Sequence, residues 1–123
     1  MNYLGMDICF SGCKSLVVDE NGKQLAIAQR EYNVYYSGDG SATLNSNEVI
    51  GKCFEVIKEC SNHIMPNIIN GIGISSQGEA FTAIGNNDEA LCDAMVSSDI
   101  SSESFIKDWT RSFGKEKLSL LTD

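Results

Sequence analysis

The sequence predicts an α/β fold built on a sheet with mixed strand directions. Three observations carry that expectation. Strand-like segments follow one another at the N-terminus, joined by tight turns. An amphipathic helix pattern comes next. A short apolar segment spaced by glycines then returns toward the sheet.

Leu4, Met6 and Ile8 alternate with Gly5 and Asp7, the period of a strand. Leu16-Val17-Val18 is a short run of β-branched character, and Asp19-Glu20-Asn21-Gly22 after it carries the Asn-Gly signal of a hairpin. Residues 24–32 alternate again, which completes an antiparallel three-strand meander. Residues 35–44 predict a loop, with Gly38-Asp39-Gly40-Ser41 as its turn chemistry. Asn45 predicts a helix cap, with Glu48 placed as in a capping box. Val49, Cys53, Val56, Ile57, Cys60 and Ile64 share one face at spacings of three and four, and Pro66 enforces the stop. The two cysteines on that face are expected in the core as small hydrophobes.

Gly71-Ile72-Gly73-Ile74 predicts a short buried strand that runs into the polar turn Ser75-Ser76-Gln77-Gly78-Glu79. Residues 80–84 resume a strand, Gly85-Asn86-Asn87-Asp88 turns it around, and residues 90–96 predict a further short strand. From Ser102 the pattern is helical, with Phe105, Ile106, Trp109 and Phe113 on one face and Gly114 at its end. Trp109 is expected in the core. Residues 115–121 predict another short helix.

The chain has 123 residues, one domain's worth at most, and no internal repeat or linker divides it. Hydrophobic residues make up 42%, enough for a core. The net charge of −8, with no basic run, argues against nucleic acid as a partner. Five cysteines and no apolar signal segment after Met1 predict free thiols in a reducing cytoplasm. Cys9 and Cys13 lack a second close pair, and His63 is the single histidine, so structural zinc is not expected. No apolar run reaches the ~18 residues that a membrane span needs.

Two turns carry candidate chemistry. The first, Asp7-Ile8-Cys9-Phe10-Ser11-Gly12-Cys13-Lys14, joins the first two strands. Its backbone N–H groups can cradle phosphate oxygens, Ser11 adds a hydroxyl and Lys14 a cation. Asp7 could hold a magnesium ion through water. A plain hairpin with a surface lysine is the other reading. The second turn, Ser75-Ser76-Gln77-Gly78-Glu79, crowds polar groups at the end of a strand, where open α/β sheets bind ligands. Gln77 and Glu79 suit a polyhydroxylated ligand. The alternative is a solvated turn with Gly78 present for its backbone freedom. In Val96-Ser97-Ser98-Asp99, a serine or the aspartate reads locally as a helix cap.

Taken together and in order, these pieces resemble the N-terminal region of the FGGY carbohydrate kinases. Tyr3-Leu4-Gly5-Met6-Asp7 is similar to the family's opening strand, and Ser11-Gly12-Cys13-Lys14 to the rest of its phosphate hairpin. Residues 17–23 resemble the second strand and turn, and Arg30-Glu31-Tyr32, the glycine-bearing loop and the Asn45-capped helix fit in order and spacing. The segment from Gly71 to Ala80 is the most specific stretch, and Ser98-Asp99 resembles a Ser-Asp pair of the family.

The resemblance implies a ribonuclease-H-like (actin-like ATPase) fold, present here as an incomplete first domain over residues 1–123. It implies Mg-ATP as cofactor, phosphoryl transfer to a sugar or polyol hydroxyl, and a cytoplasmic setting. Asp7, Ser11, Gly12 and Lys14 fall on the phosphate and metal hairpin, with Asp7 meeting the metal through water. Gln77, Gly78 and Glu79 fall on the substrate segment, and Asp99 on a nearby substrate-side or structural position. No catalytic base is assigned, because the family's base lies far downstream. The chain alone is therefore expected to be inactive, to leave apolar surface exposed, and to associate with itself or a complementing chain. Cys9 and Phe10 stand where the family has glycine and usually threonine, which removes a hydroxyl and would crowd the phosphates. Ser97 and Ser101 stand in place of an aromatic and an arginine. These departures motivate an alternative, a non-catalytic carbohydrate-binding or regulatory module without a phosphate site.

Overall fold

The structure, a computed structural model, describes residues 1–117. Strands β1 (Asn2–Ile8), β2 (Gly12–Asp19) and β3 (Gln24–Glu31) form the expected antiparallel meander. After β4 (Val34–Tyr36), β5 (Ala42–Leu44) and helix α1 (Ser46–Ile64), strand β6 (Gly71–Ser76) returns to pair with β1 in parallel. The sheet order is β3-β2-β1-β6, so the predicted mixed sheet is borne out. The short β7 (Ala94–Met95) and helix α2 (Glu103–Phe113) follow.

Local chemistry explains the junctions. The Asp19 carboxylate accepts from the N–H groups of Asn21 (2.8 Å) and Lys23 (2.9 Å), which folds the β2–β3 hairpin back on itself. Gly22 takes the left-handed φ of +79° that this hairpin needs. Asn45 Oδ1 accepts from the Glu48 N–H at 2.9 Å, capping α1. The Glu48 carboxylate does not return the bond of a full capping box; it accepts instead from the Tyr35 hydroxyl at 3.5 Å.

Helix α1 lies over β2 and β3. Its buried face of Cys53, Val56, Cys60 and Ile64 meets Leu4, Val17, Ala26 and Ala28, so the cysteines are core residues as expected. The Cys60 thiol donates to the Ser15 carbonyl at 3.5 Å. Arg30, on the same side of β3, reaches Glu55 at 3.0 Å and Glu59 at 2.6 Å on the helix.

Four expectations are corrected. Residues 35–44 are not a loop: β4 and β5 pair as a hairpin, Val34 opposite Leu44 and Tyr36 opposite Ala42. The Asp39 carboxylate closes its tip by accepting from the Ser41 N–H and the Ser37 hydroxyl. Strand β6 is not buried. Ile72 is 57% and Ile74 67% exposed, because β6 is the edge of the sheet and α1 sits over β2 and β3. The strands expected over 80–84 and 90–96 shrink to isolated bridges, Phe81 with Met95 and Ile84 with Ala90, plus the two-residue β7. Trp109 is not in the core. It is 51% exposed, and Phe105, Ile106 and Phe113 beside it are exposed as well, because none of α2 is buried. The predicted exposure of apolar surface is therefore observed, on β6 and α2. Gly114 ends α2 as expected, with φ +80°. The helix expected over 115–121 runs into residues 118–123, which lie outside the described residues.

Candidate functional site

Parallel pairing sets the geometry. Asp7 stands opposite Ser75 and Ile8 opposite Ser76 in the β1–β6 register. The Gln77 N–H then donates to the Ile8 carbonyl at 2.9 Å. Both strands leave the sheet at the same end, so the two candidate turns are neighbours, in the position where open sheets bind ligands.

The hairpin side carries one hollow at the turn itself, and Asp7 and Lys14 also border a second that reaches Gly73 and Ser75 on β6. Asp7, Ser11, Gly12 and Lys14 line the first together with Cys9. Asp7 and Lys14 are cross-strand partners on the face of the sheet away from α1. Gly12 has a steric reason to be glycine, since a Cβ there would stand 2.6 Å from the Arg30 carbonyl oxygen. The Cys9 thiol donates to the Asp7 carboxylate at 3.2 Å, and that bond, with partial desolvation and the nearby negative charge, pushes the thiol pKa up. Phe10 does not crowd the hollow: its ring packs against the core, where its apolar surface leaves water. The donor set fits an indirectly bound magnesium ion. That ion keeps several waters and takes one or two carboxylates plus phosphate oxygens, and Asp7 supplies one carboxylate with the Ser11 hydroxyl beside it. Among the described residues no three His, Cys, Asp or Glu side chains gather into a cage.

Tyr32 belongs to this hairpin, although sequence reasoning passed over it. It is buried, and its hydroxyl meets the carbonyls of Cys9 and, at 3.0 Å, Gly12. Its N–H donates to the Ser11 carbonyl at 3.1 Å. Burial pushes its phenol far above the ordinary tyrosine value, so it stays a proton donor. The available signal was parity: Tyr32 continues the inward series of Ala26, Ala28 and Arg30.

The second turn is organised differently. Gln77 lines another hollow, with Ile8, Ala80 and Ser46 at the N-terminus of α1. The backbone freedom expected at Gly78 is used instead by Glu79, a non-glycine residue at φ +60°. Such a conformation costs on the order of 1 kcal/mol and is found disproportionately at ligand sites. Lys14 and Gln77 thus line separate hollows around the same strand ends, and Glu79 lines neither. Asp99 is a brace. Its carboxylate accepts from the Ser101 hydroxyl at 2.6 Å, the Ala42 N–H at 2.8 Å and the Ser101 N–H at 3.0 Å. Those bonds hold its pKa below the ordinary carboxylate value, the Ser101 hydroxyl contributing most. It ties the start of β5 to the turn after β7.

With this geometry in hand, residues 2–122 match the family model described as "FGGY family of carbohydrate kinases, N-terminal domain". A probable L-xylulose kinase of Haemophilus influenzae is 29% identical over 89% of this chain and 23% of its own length. An L-xylulose/3-keto-L-gulonate kinase of Escherichia coli is 29% identical over 98% of this chain and 24% of its own. The chain thus spans about a quarter of these relatives. The crystal structure of a gluconate kinase from Lactobacillus acidophilus superposes with a TM-score of 0.82 at 24% identity, over 92% of this chain and 23% of that one. This likeness shows the ribonuclease-H-like, actin-like fold that the β3-β2-β1-β6 order already displays.

Proposed function

We propose, from the premise that this chain belongs to the FGGY family of carbohydrate kinases, that it forms the part of such a kinase that faces both a nucleotide's phosphates and a sugar or polyol. The observation that carries the proposal is the β1–β6 pairing, which brings the turn after Ile8 beside the turn after Ser76.

In this reading Asp7, Ser11, Gly12 and Lys14 face the phosphates of Mg-ATP. Lys14 offsets phosphate charge, and Asp7 holds a water of the metal ion. The bound nucleotide supplies the phosphoryl group. Gln77, Gly78 and Glu79 face the carbohydrate, Glu79 accepting from its hydroxyls. The left-handed backbone at Glu79 supports that role, since a strained non-glycine residue stands in the turn that follows β6. Asp99 acts behind this edge by fixing the neighbouring turn. The names of the relatives span xylulose-like sugars, a sugar acid and the polyol glycerol within that class.

The alternative, a carbohydrate-binding module without a phosphate site, rested on Cys9 and Phe10. The packing of Phe10 against the core removes the crowding argument and leaves Cys9 and the missing hydroxyl at position 10 as its support. Calorimetric titration separates the two readings. Mg-ATP and a panel of sugars and polyols are titrated separately into the protein and into Lys14→Ala and Glu79→Gln. We expect Lys14→Ala to weaken Mg-ATP about tenfold, as removal of a charge-assisted bond does, with sugar binding unchanged. Glu79→Gln should do the reverse. Sugar binding with no nucleotide binding at all would establish the module instead.

A further inference from the structure

The turn between β1 and β2 lacks half of its own hydrogen bonding. Across residues 9–12 the Cys9 N–H donates to the Gly12 carbonyl at 2.9 Å. The return bond that usually closes such a turn, from the Gly12 N–H to the Cys9 carbonyl, is not made. The Cys9 carbonyl is taken by the Tyr32 hydroxyl instead. That hydroxyl also meets the Gly12 carbonyl at 3.0 Å, and the Tyr32 N–H holds the Ser11 carbonyl at 3.1 Å. The carbonyls of Cys9, Ser11 and Gly12 therefore all point toward Tyr32.

A trans peptide is planar, with its N–H opposed to its C=O. Because the Cys9 carbonyl points toward Tyr32, the Phe10 N–H points away from it. The Gly12 N–H points away for the same reason, behind the Ser11 carbonyl. The N–H groups of Phe10, Ser11 and Gly12 find no acceptor among the described residues. Successive free N–H groups of this kind form an anion-binding nest, and Lys14 lines the same hollow as Ser11 and Gly12.

We propose that Tyr32 is a positioning residue for a phosphoryl group: its phenol occupies the carbonyl that would otherwise consume the Gly12 N–H, and so keeps that N–H available, with those of Phe10 and Ser11, beside Lys14. The proposal rests on the phosphate-side reading given above. The buried phenol suits the task, because it keeps its proton and goes on donating wherever a phosphate is ionised. A phenylalanine at the same place keeps the ring's packing but releases the Cys9 carbonyl to the Gly12 N–H.

The probe is inorganic pyrophosphate, followed by amide NMR on the intact chain, Tyr32→Phe and Lys14→Ala. In the parent chain the Phe10, Ser11 and Gly12 amides should exchange freely with solvent and become protected as pyrophosphate binds. Tyr32→Phe should weaken pyrophosphate roughly fivefold, the loss expected for one hydrogen bond, and should slow exchange of the Gly12 amide in the free protein. A purely structural role for Tyr32 would speed that exchange. If Lys14→Ala weakens pyrophosphate while Tyr32→Phe does not, the Tyr32 inference fails and the phosphate-side reading stands. If pyrophosphate leaves all three amides unmoved, both fail. Protection of the Phe10 and Gly12 amides in the free parent chain overturns the inference even if Tyr32→Phe does not fold.

Discussion

The two faces of the four-stranded sheet are built from the same alternation, yet only one is covered. Under α1, Leu4, Ser15 and Val17 are sealed from water. On the opposite face, Tyr3, Leu25 and Ile27 keep much of their surface exposed. Period-2 patterning tells which residues share a face. It does not tell whether anything lies on that face, because the covering element comes from elsewhere in the chain. The helices repeat the lesson. Helix α1 and α2 both carry an apolar stripe, but α1 has its stripe on β2 and β3 while α2 buries none of its residues.

Truncation gives the largest contrast. Leu4→Ala should destabilise the fold by about 2–5 kcal/mol, since it removes buried methyl groups and leaves a cavity. Ile27→Ala, on a neighbouring part of the same sheet, should cost about 1 kcal/mol or less, mostly in strand preference. Urea unfolding of both variants reads the difference directly. Equal losses would mean that the open face is covered in solution.

A smaller contrast separates the helix starts. The Asn45 side-chain oxygen accepts from the Glu48 N–H to cap α1, whereas Ser102 at the start of α2 makes no side-chain cap bond. Asn45→Ala should therefore cost about 1 kcal/mol and Ser102→Ala a few tenths at most. Thermal melts of the two variants test this, and an equal cost at Ser102 would show that α2 is capped and held in solution.

What the sequence revealed follows the same division. The three-strand meander, the Asn-Gly hairpin, the Asn45 cap and the stop before Pro66 are local signals, and all four were legible. The β4–β5 hairpin was hidden because its strands have three residues each and its tip is rich in turn formers. The bond from Ala42 to Asp99 joins residues 57 apart, and the hold of Tyr32 on Cys9 spans 23, so neither leaves a local trace. The placing of Asp7, Ser11, Gly12 and Lys14 in one hollow was legible because one hairpin carries all of them. The separation of Gln77 from that hollow was not, since it depends on where the N-terminus of α1 comes to rest.

The cysteines divide by burial and supply the finest contrast. Cys13, Cys53 and Cys60 are buried, while Cys9 and Cys92 are exposed. Burial pushes the Cys53 thiol up to about 11, so it is doubly protected, by access and by scarcity of thiolate. A small aromatic disulfide reagent at neutral pH should therefore label Cys9 and Cys92 in the native protein, and the other three only after denaturation. Between the exposed pair the expected effect is smaller. The Asp7 carboxylate holds the Cys9 thiol protonated, so Asp7→Asn should speed labelling of Cys9 a few-fold and leave Cys92 unchanged, as peptide mapping at short times would show. Native labelling of Cys13 or Cys53 as fast as that of Cys9 would mean that α1 does not stay on the sheet, and the distinction between a covered and an open face would fall with it.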